Sequence, residues 1–178
     1  MHWKIFNLIG ISLSCFLVQS CGVYSLSGIA IDYSKIQTIT IENFYDETAG
    51  GPPNIAQVFS EQLRDYYQQN TQLDLLDNDG HLQLLGSISD YRISPVAQTA
   101  SGDPNRPDVA QAQRLTISVK VSYINNVDPE QSFENRSFSF YEDYNPESQQ
   151  LSQVENDLIE TIFTQIVYDI FNATVANW

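Results

Sequence analysis

Cations are scarce in this chain. It carries eight Lys and Arg against 22 Asp and Glu, a formal charge of −14 over 178 residues. Nucleic acid is bound through a basic footprint, so that class of partner is excluded. A broad electrostatic grip on an anionic lipid surface is excluded for the same reason. Cysteine is nearly absent as well, with Cys15 and Cys21 the two present, both near the N-terminus. The body of the chain therefore has no disulfide, no cysteine metal site and no cysteine nucleophile. Only His2 and His81 are histidines. There is no Gly-x-Ser-x-Gly, no phosphate loop and no paired-histidine zinc motif. No catalytic residue, metal ligand or cofactor site is predicted, and the chain does not read as an enzyme. An enzyme would need an apolar pocket holding a perturbed carboxylate or histidine.

The N-terminal segment is informative in what it does contain. Lys4 is followed by an apolar run from Ile5 to Val18, then by Val18-Gln19-Ser20-Cys21. The run is short of the about 20 apolar residues of a membrane-spanning helix. It has the build of a signal peptide over residues 1–20. The aliphatic residue three before Cys21 and the small one just before it match the lipobox cut by lipoprotein signal peptidase. Gln19 is atypical at its position. Cys21 would then be the first mature residue and would carry acyl chains (palmitate among them), each buried methylene adding about 0.8 kcal/mol of membrane attachment. An ordinary secretory signal with an incidental cysteine is the alternative. Cys15 competes as acceptor, but Ser12 stands where an aliphatic residue is wanted.

Residues 21–34 read as a lipidated tether, and residues 35–178 as a single domain long enough for a core. Lys35 to Phe44 alternates as a strand. Gly50-Gly51-Pro52-Pro53 breaks it. Asn54 then fits a helix N-cap with Gln57 completing a capping box, and Ile55, Val58, Phe59, Leu63, Tyr66 and Tyr67 follow helical spacing to about Asn70. Leu73 to Leu76 reads as a short strand. Asp77-Asn78-Asp79-Gly80 reads as a hairpin-type turn. It also looks like the start of a calcium loop, but that loop's glutamate would fall at Gly86. Leu82, Leu84 and Ile88 share one parity and Tyr91 and Ile93 the other, which predicts a bulge near Ser89 or Asp90.

Residues 95–112 have no period and several prolines, and are predicted to form a long surface loop with a functional role. Leu115, Ile117, Val119, Val121 and Tyr123 alternate cleanly. Asn125-Asn126 and Asp128-Pro129 make a turn into a partner strand, Phe133 to Tyr141, with a parity change between Phe133 and Phe138. Asn145-Pro146 is predicted to open a last helix along Leu151, Val154, Leu158, Ile162, Ile166 and Ile170. The predicted fold is α+β: a two-layer sandwich, an antiparallel or mixed sheet of about four strands with two helices packed on one face. His81, at a strand start, reads as a half-exposed strand residue rather than a base. Tyr141, Tyr144, Tyr66 and Tyr67 are candidates for a core or an interface.

The cysteine followed by Gly22-Val23-Tyr24-Ser25-Leu26-Ser27-Gly28 resembles the start of the lipopolysaccharide-assembly lipoproteins called LptE, in the form found in Bacteroidetes. The strand, helix, strands, helix order over residues 35–172 is similar too. The resemblance implies an outer-membrane lipoprotein, anchored on the periplasmic face, that plugs a large partner β-barrel, LptD, and assists its assembly in lipopolysaccharide transport. The loop at 95–112 and the turn near 125–130 would then be candidates to probe the barrel. Some members of the family touch lipopolysaccharide through basic side chains. Here Lys35, Arg64, Arg92, Arg106, Arg114, Lys120 and Arg136 form no run, so no ligand residues are carried over. No acidic cluster follows Cys21, which predicts a periplasm-facing orientation. The alternative function is a generic envelope lipoprotein that binds a small ligand or another protein.

Overall fold

The computed structural model describes residues 31–96 and 112–176. Cys21, the signal segment, most of the tether and all but the ends of the 95–112 loop lie outside them. Two short strands come first, β1 (Thr38–Ile41) and β2 (Tyr45–Asp46), then helix α1 (Ile55–Asn70) and β3 (Asp74–Leu76). Three elements of sheet follow, β4 (Leu82–Pro95), β5 (Gln113–Asn125) and β6 (Phe133–Tyr144), before the final helix α2 (Leu151–Thr174). They form one mixed sheet in the order β3-β1-β4-β5-β6, with β2 also paired to β4. β4, β5 and β6 are antiparallel. β1 is parallel to both β3 and β4, and β2 is parallel to β4. The sheet is therefore larger than the expected four strands, because short strands of two to four residues carry too little periodicity to be read as separate elements.

The helices lie side by side on one face and run in the same direction. Gln62 bonds Thr164 at 3.0 Å, and Tyr67 meets Thr174 a few turns on. On α1 the buried residues Ile55, Phe59, Leu63 and Tyr67 recur at intervals of four. On α2 they are Ile159, Ile162, Phe163, Ile166, Val167, Ile170 and Phe171. Each such side chain contributes about 1.5–3 kcal/mol of burial. Edge-to-face aromatic contacts link the layers: Phe44 to Phe59 at 5.0 Å, and Phe59 to Phe163 at 4.9 Å. Between β1 and β2 the ladder is interrupted, and α1 supplies the missing partners. The Ser60 hydroxyl accepts from the Phe44 N–H at 2.9 Å, and Arg64 donates twice to the Ile41 carbonyl.

Several local expectations are corrected. The 77–81 segment is no hairpin turn. It joins β3 and β4, which flank β1 on opposite sides and run parallel to it, so the chain crosses over β1. The positive φ, 56°, falls on Asp79, not on the glycine. Gly80 is required by close approach, since a Cβ there would sit 2.6 Å from the Thr40 nitrogen. Asn54 occupies the N-cap position without a side-chain cap bond, and Gln57 donates to Glu61 instead of closing a capping box. Asn145 does not open α2. Its carboxamide oxygen accepts from the Glu147 N–H and caps an isolated turn, and the helix starts at Leu151. Both bulges fall where the parity changes placed them, at Ile88/Asp90 and opposite Val121/Tyr123, the second with Asn135 at φ 51°.

Candidate functional site

Among the described residues, no group of three or more His, Cys, Asp or Glu side chains stands close enough to hold a metal ion. Three grooves stand out among the described residues. One, of about 540 Å³ between the helices, has Ile55, Val58 and Ile159 along its floor and Asn54, Gln62, Asn156 and Glu160 at its rim. A second, of about 370 Å³, lies where the chain enters the domain, against Ile31, Ile36, Tyr123, Val127 and Val175. A third, of about 430 Å³, runs between β6 and α2 past Glu142 and Glu160. The Thr161 and Thr164 hydroxyls in it donate to carbonyls one helical turn back, so neither is paired with a base.

His81 belongs to the crossover, not to a reaction centre. Its Nδ1 accepts from the Gln37 N–H at 3.2 Å and lies 3.1 Å from the Thr38 hydroxyl. The Thr38 and Thr40 hydroxyls accept from the His81 and Gly80 N–H groups, both at 3.0 Å. Asn126 closes the other side, donating to the Gly80 carbonyl. This polar clamp holds the crossing strand segment in place, the role expected of a half-exposed strand residue.

The remaining large feature is the sheet face opposite the helices. Cross-strand register places Arg92, Thr116 and Tyr141 in one row, Asp90, Ser118 and Ser139 in the next, and Tyr45, Lys120 and Ser137 in a third, around a buried Ser87. No helix covers them. The hydroxyls bond one another and the strands: Ser118 to Ser139 at 2.9 Å, Ser139 to the Ile117 carbonyl, and Ser89 to the Ser118 carbonyl. At the β5–β6 margin Arg114 forks onto Asp143 at 2.7 and 2.8 Å and lies 3.6 Å above the Tyr141 ring. That hydrogen-bonded pair holds the Asp143 carboxyl below the usual carboxylate range and raises Arg114 further.

The tyrosines singled out in the sequence divide accordingly. Tyr67 is buried with its hydroxyl on Thr174, and burial raises it far above an ordinary phenol. Tyr144 is buried and donates to Gln113, and Tyr66 packs edge-on against Phe171. Only Tyr141 stands out in solvent, 47% exposed. Sequence reasoning missed its counterpart, Tyr45, at 59%. Its signal was the Phe44-Tyr45 pair, where strand alternation turns one ring inward and the next outward.

The basic residues are scattered, as the sequence indicates. Lys35 pairs with Asp32 at 3.5 Å, Arg92 with Asp90 at 3.7 Å, and Arg136 lies over Phe133 and Phe138. The 95–112 loop and the 125–130 turn, both candidates to probe a barrel, leave the sheet at opposite ends. β4 ends and β5 begins at the first, and β5 ends at the second.

A mixed sheet with a helix pair on one face and an open polar face on the other defines a small two-layer α+β domain. The protein CT253 of Chlamydia trachomatis has this fold, with a TM-score of 0.52 at 10% identity over 80% of this chain and 99% of that one. Bacterial lipoproteins are among the structural neighbours. A minor lipoprotein of Acinetobacter baumannii gives 0.43 at 14% identity over 79% and 96%, and lipoprotein GNA1162 of Neisseria meningitidis gives 0.37 at 10% over 74% and 99%. No curated protein sequence matches the chain. Residues 36–174 match the family model LptE, lipopolysaccharide-assembly, and the chain belongs to that family, whose members are non-catalytic assembly lipoproteins.

Proposed function

We propose that this protein is an outer-membrane lipoprotein, acylated at Cys21 and held on the periplasmic face, that plugs and assists assembly of a large LptD-like β-barrel in lipopolysaccharide transport. The family match over residues 36–174 carries this reading. The open sheet face supports it, because a barrel lumen is polar and a plug must meet it with hydrogen-bonding side chains. No helix among the described residues is long and apolar enough to cross a membrane, in keeping with attachment through a lipid. The Bacteroidetes form of the family finds no support in the comparisons and rests on residues 22–28 alone. Direct binding of lipopolysaccharide phosphates is not part of the reading, since the cations of the described residues form no cluster.

Purification of the full-length, membrane-anchored protein in mild detergent tests the reading. A large outer-membrane barrel is expected at a fixed ratio. A monomer free of any barrel would overturn it. Substituting Cys21→Ala is expected to release the protein from the membrane fraction. Shaving of the protein from intact cells by protease would contradict the periplasmic orientation.

A further inference from the structure

We infer that the open face of β4–β6, from Tyr45 across to Tyr141, is the surface laid against the inner wall of the barrel, while the helix layer faces away from that wall. This rests on the barrel reading above and adds which side of the domain makes the contact. The two layers differ in charge. α2 carries Glu155, Asp157, Glu160 and Asp169 and no Lys or Arg. Residues in register on the open side are Arg92, Arg114 and Lys120 against Asp74, Asp90 and Asp143, an even balance on a chain of charge −14. A wall presenting carboxylates and carbonyl acceptors is therefore repelled by the helices and not by the sheet.

The face also has the anatomy of a protein contact. Among the described residues, the large apolar side chains that stand exposed include Tyr45, Tyr141, Leu76 and Ile124, all four on this side by their strand register. Tyrosine and arginine are the residue types enriched in interface anchors, and Tyr141 stacked under Arg114 supplies both. Short hydroxyls between the two rings keep the surface flat enough for a second sheet. The strands are 14, 13 and 12 residues long. At about 3.3 Å per residue this is a span of roughly 40 Å, enough to line the about 30 Å height of a membrane barrel. A polyanionic lipid fits the face less well. Two of its three cations already have a carboxylate partner, Arg114 at 2.7 Å and Arg92 at 3.7 Å.

Site-specific photo-crosslinking in cells decides the matter, with p-benzoylphenylalanine placed in the full-length lipoprotein at Thr116, Ser137 or Ser139 on the sheet and at Asp157 or Thr161 on α2. Adducts with a large outer-membrane barrel are expected from the sheet positions, at least fivefold stronger than from the helix. Equal or stronger adducts from the helix, with the barrel still copurifying, overturn this assignment and leave the barrel reading standing. Sheet adducts that migrate as a lipopolysaccharide ladder assign the face to lipid and overturn it too. No barrel adduct anywhere and no copurifying barrel sink both. As a second measurement, Ser139→Trp is expected to lower barrel recovery at least tenfold with an unchanged circular-dichroism melt, and Thr161→Trp to leave recovery intact. Unchanged recovery with Ser139→Trp counts against the inference.

Discussion

The two faces of the sheet are built from the same strands, one residue out of step, and they do different work. On β5, Leu115, Ile117, Val119 and Val121 are fully buried under the helices, while Thr116 and Ser118 between them and Ser122 beyond are partly open, with the Ser118 and Ser122 hydroxyls bonded to β6. Stability resides on the first face, because area removed from water is what folds the chain. The second face is free of that demand, so its residues are available for recognition. A domain whose stability and binding lie on opposite sides of one sheet can change one with little effect on the other.

The sharpest test of this division is truncation on each face. Phe59→Ala removes a ring that touches both Phe44 and Phe163 and is expected to cost about 3–5 kcal/mol. Thr116→Ala, on the open face, is expected to change stability by less than about 0.5 kcal/mol. Urea unfolding of both variants measures the contrast, and similar midpoints would dissolve it.

Alkaline titration probes the covered face as a whole. Burial pushes the Tyr123 phenol up to about 12, and it raises Tyr67 and Tyr91 as well, Tyr91 being held further by its bond to Glu155. A folded-state value above the unfolded one gives stability that is complete below pH 10 and lost as pH rises through the folded value. For Tyr123 this amounts to about 2–3 kcal/mol between pH 10 and 12. Absorbance at 295 nm should show Tyr67, Tyr91 and Tyr123 ionising only with unfolding. A single transition near pH 10 in a still-folded protein would contradict the burial assigned to these rings.

Gly86 tests how closely the strands and Phe44 pack. A Cβ there would lie 2.1 Å from the Lys120 carbonyl oxygen and 2.6 Å from the Phe44 ring. Gly86→Ala is expected to destabilise by about 1–3 kcal/mol. A thermal melt unchanged from wild type would mean that β4 and β5 are further apart than the register implies.

How much of this was legible beforehand follows the same division. Long-period signals carried well. The alternation of Leu115 to Tyr123, the helical spacing from Ile55 to Tyr67, and both parity breaks correspond to real strands, helices and bulges. Signals that depend on what a distant segment supplies did not. The crossover at Gly80 looked like a hairpin turn because Asp-Gly has turn chemistry in any context, whereas its role is set by Thr38 and Thr40 some 40 residues earlier. Asn145 had the composition of a helix cap but spends its side chain on Glu147. The open face was legible residue by residue as the polar half of each alternation. That the rows of three strands line up, with Tyr45 and Tyr141 at their margins, depends on register, which one strand's sequence does not contain.

The smallest expected change in stability is at the margin of the open face, and it separates the two functions most cleanly. Asp143 and Arg114 are both about one-third exposed, so water screens the pair and its contribution is small despite its forked geometry. Arg114 holds the Asp143 carboxyl low. The contribution is therefore present above the ordinary carboxylate range and is lost as pH falls through the depressed folded value. Asp143→Asn should accordingly leave the melting temperature almost unchanged at pH 7, and the difference from wild type should vanish in acid. Yet Asp143 also fixes the guanidinium over Tyr141, so the same variant should weaken barrel recovery several-fold if this face is the contact. Tyr67→Phe offers the reverse: a buried hydroxyl bond to Thr174 is lost, stability falls by about 1 kcal/mol, and recovery of the barrel from folded protein stays at the wild-type level. If both variants moved stability and recovery together, the two faces would not be separable, and the open face would be one more part of the fold instead of the part left over for a partner.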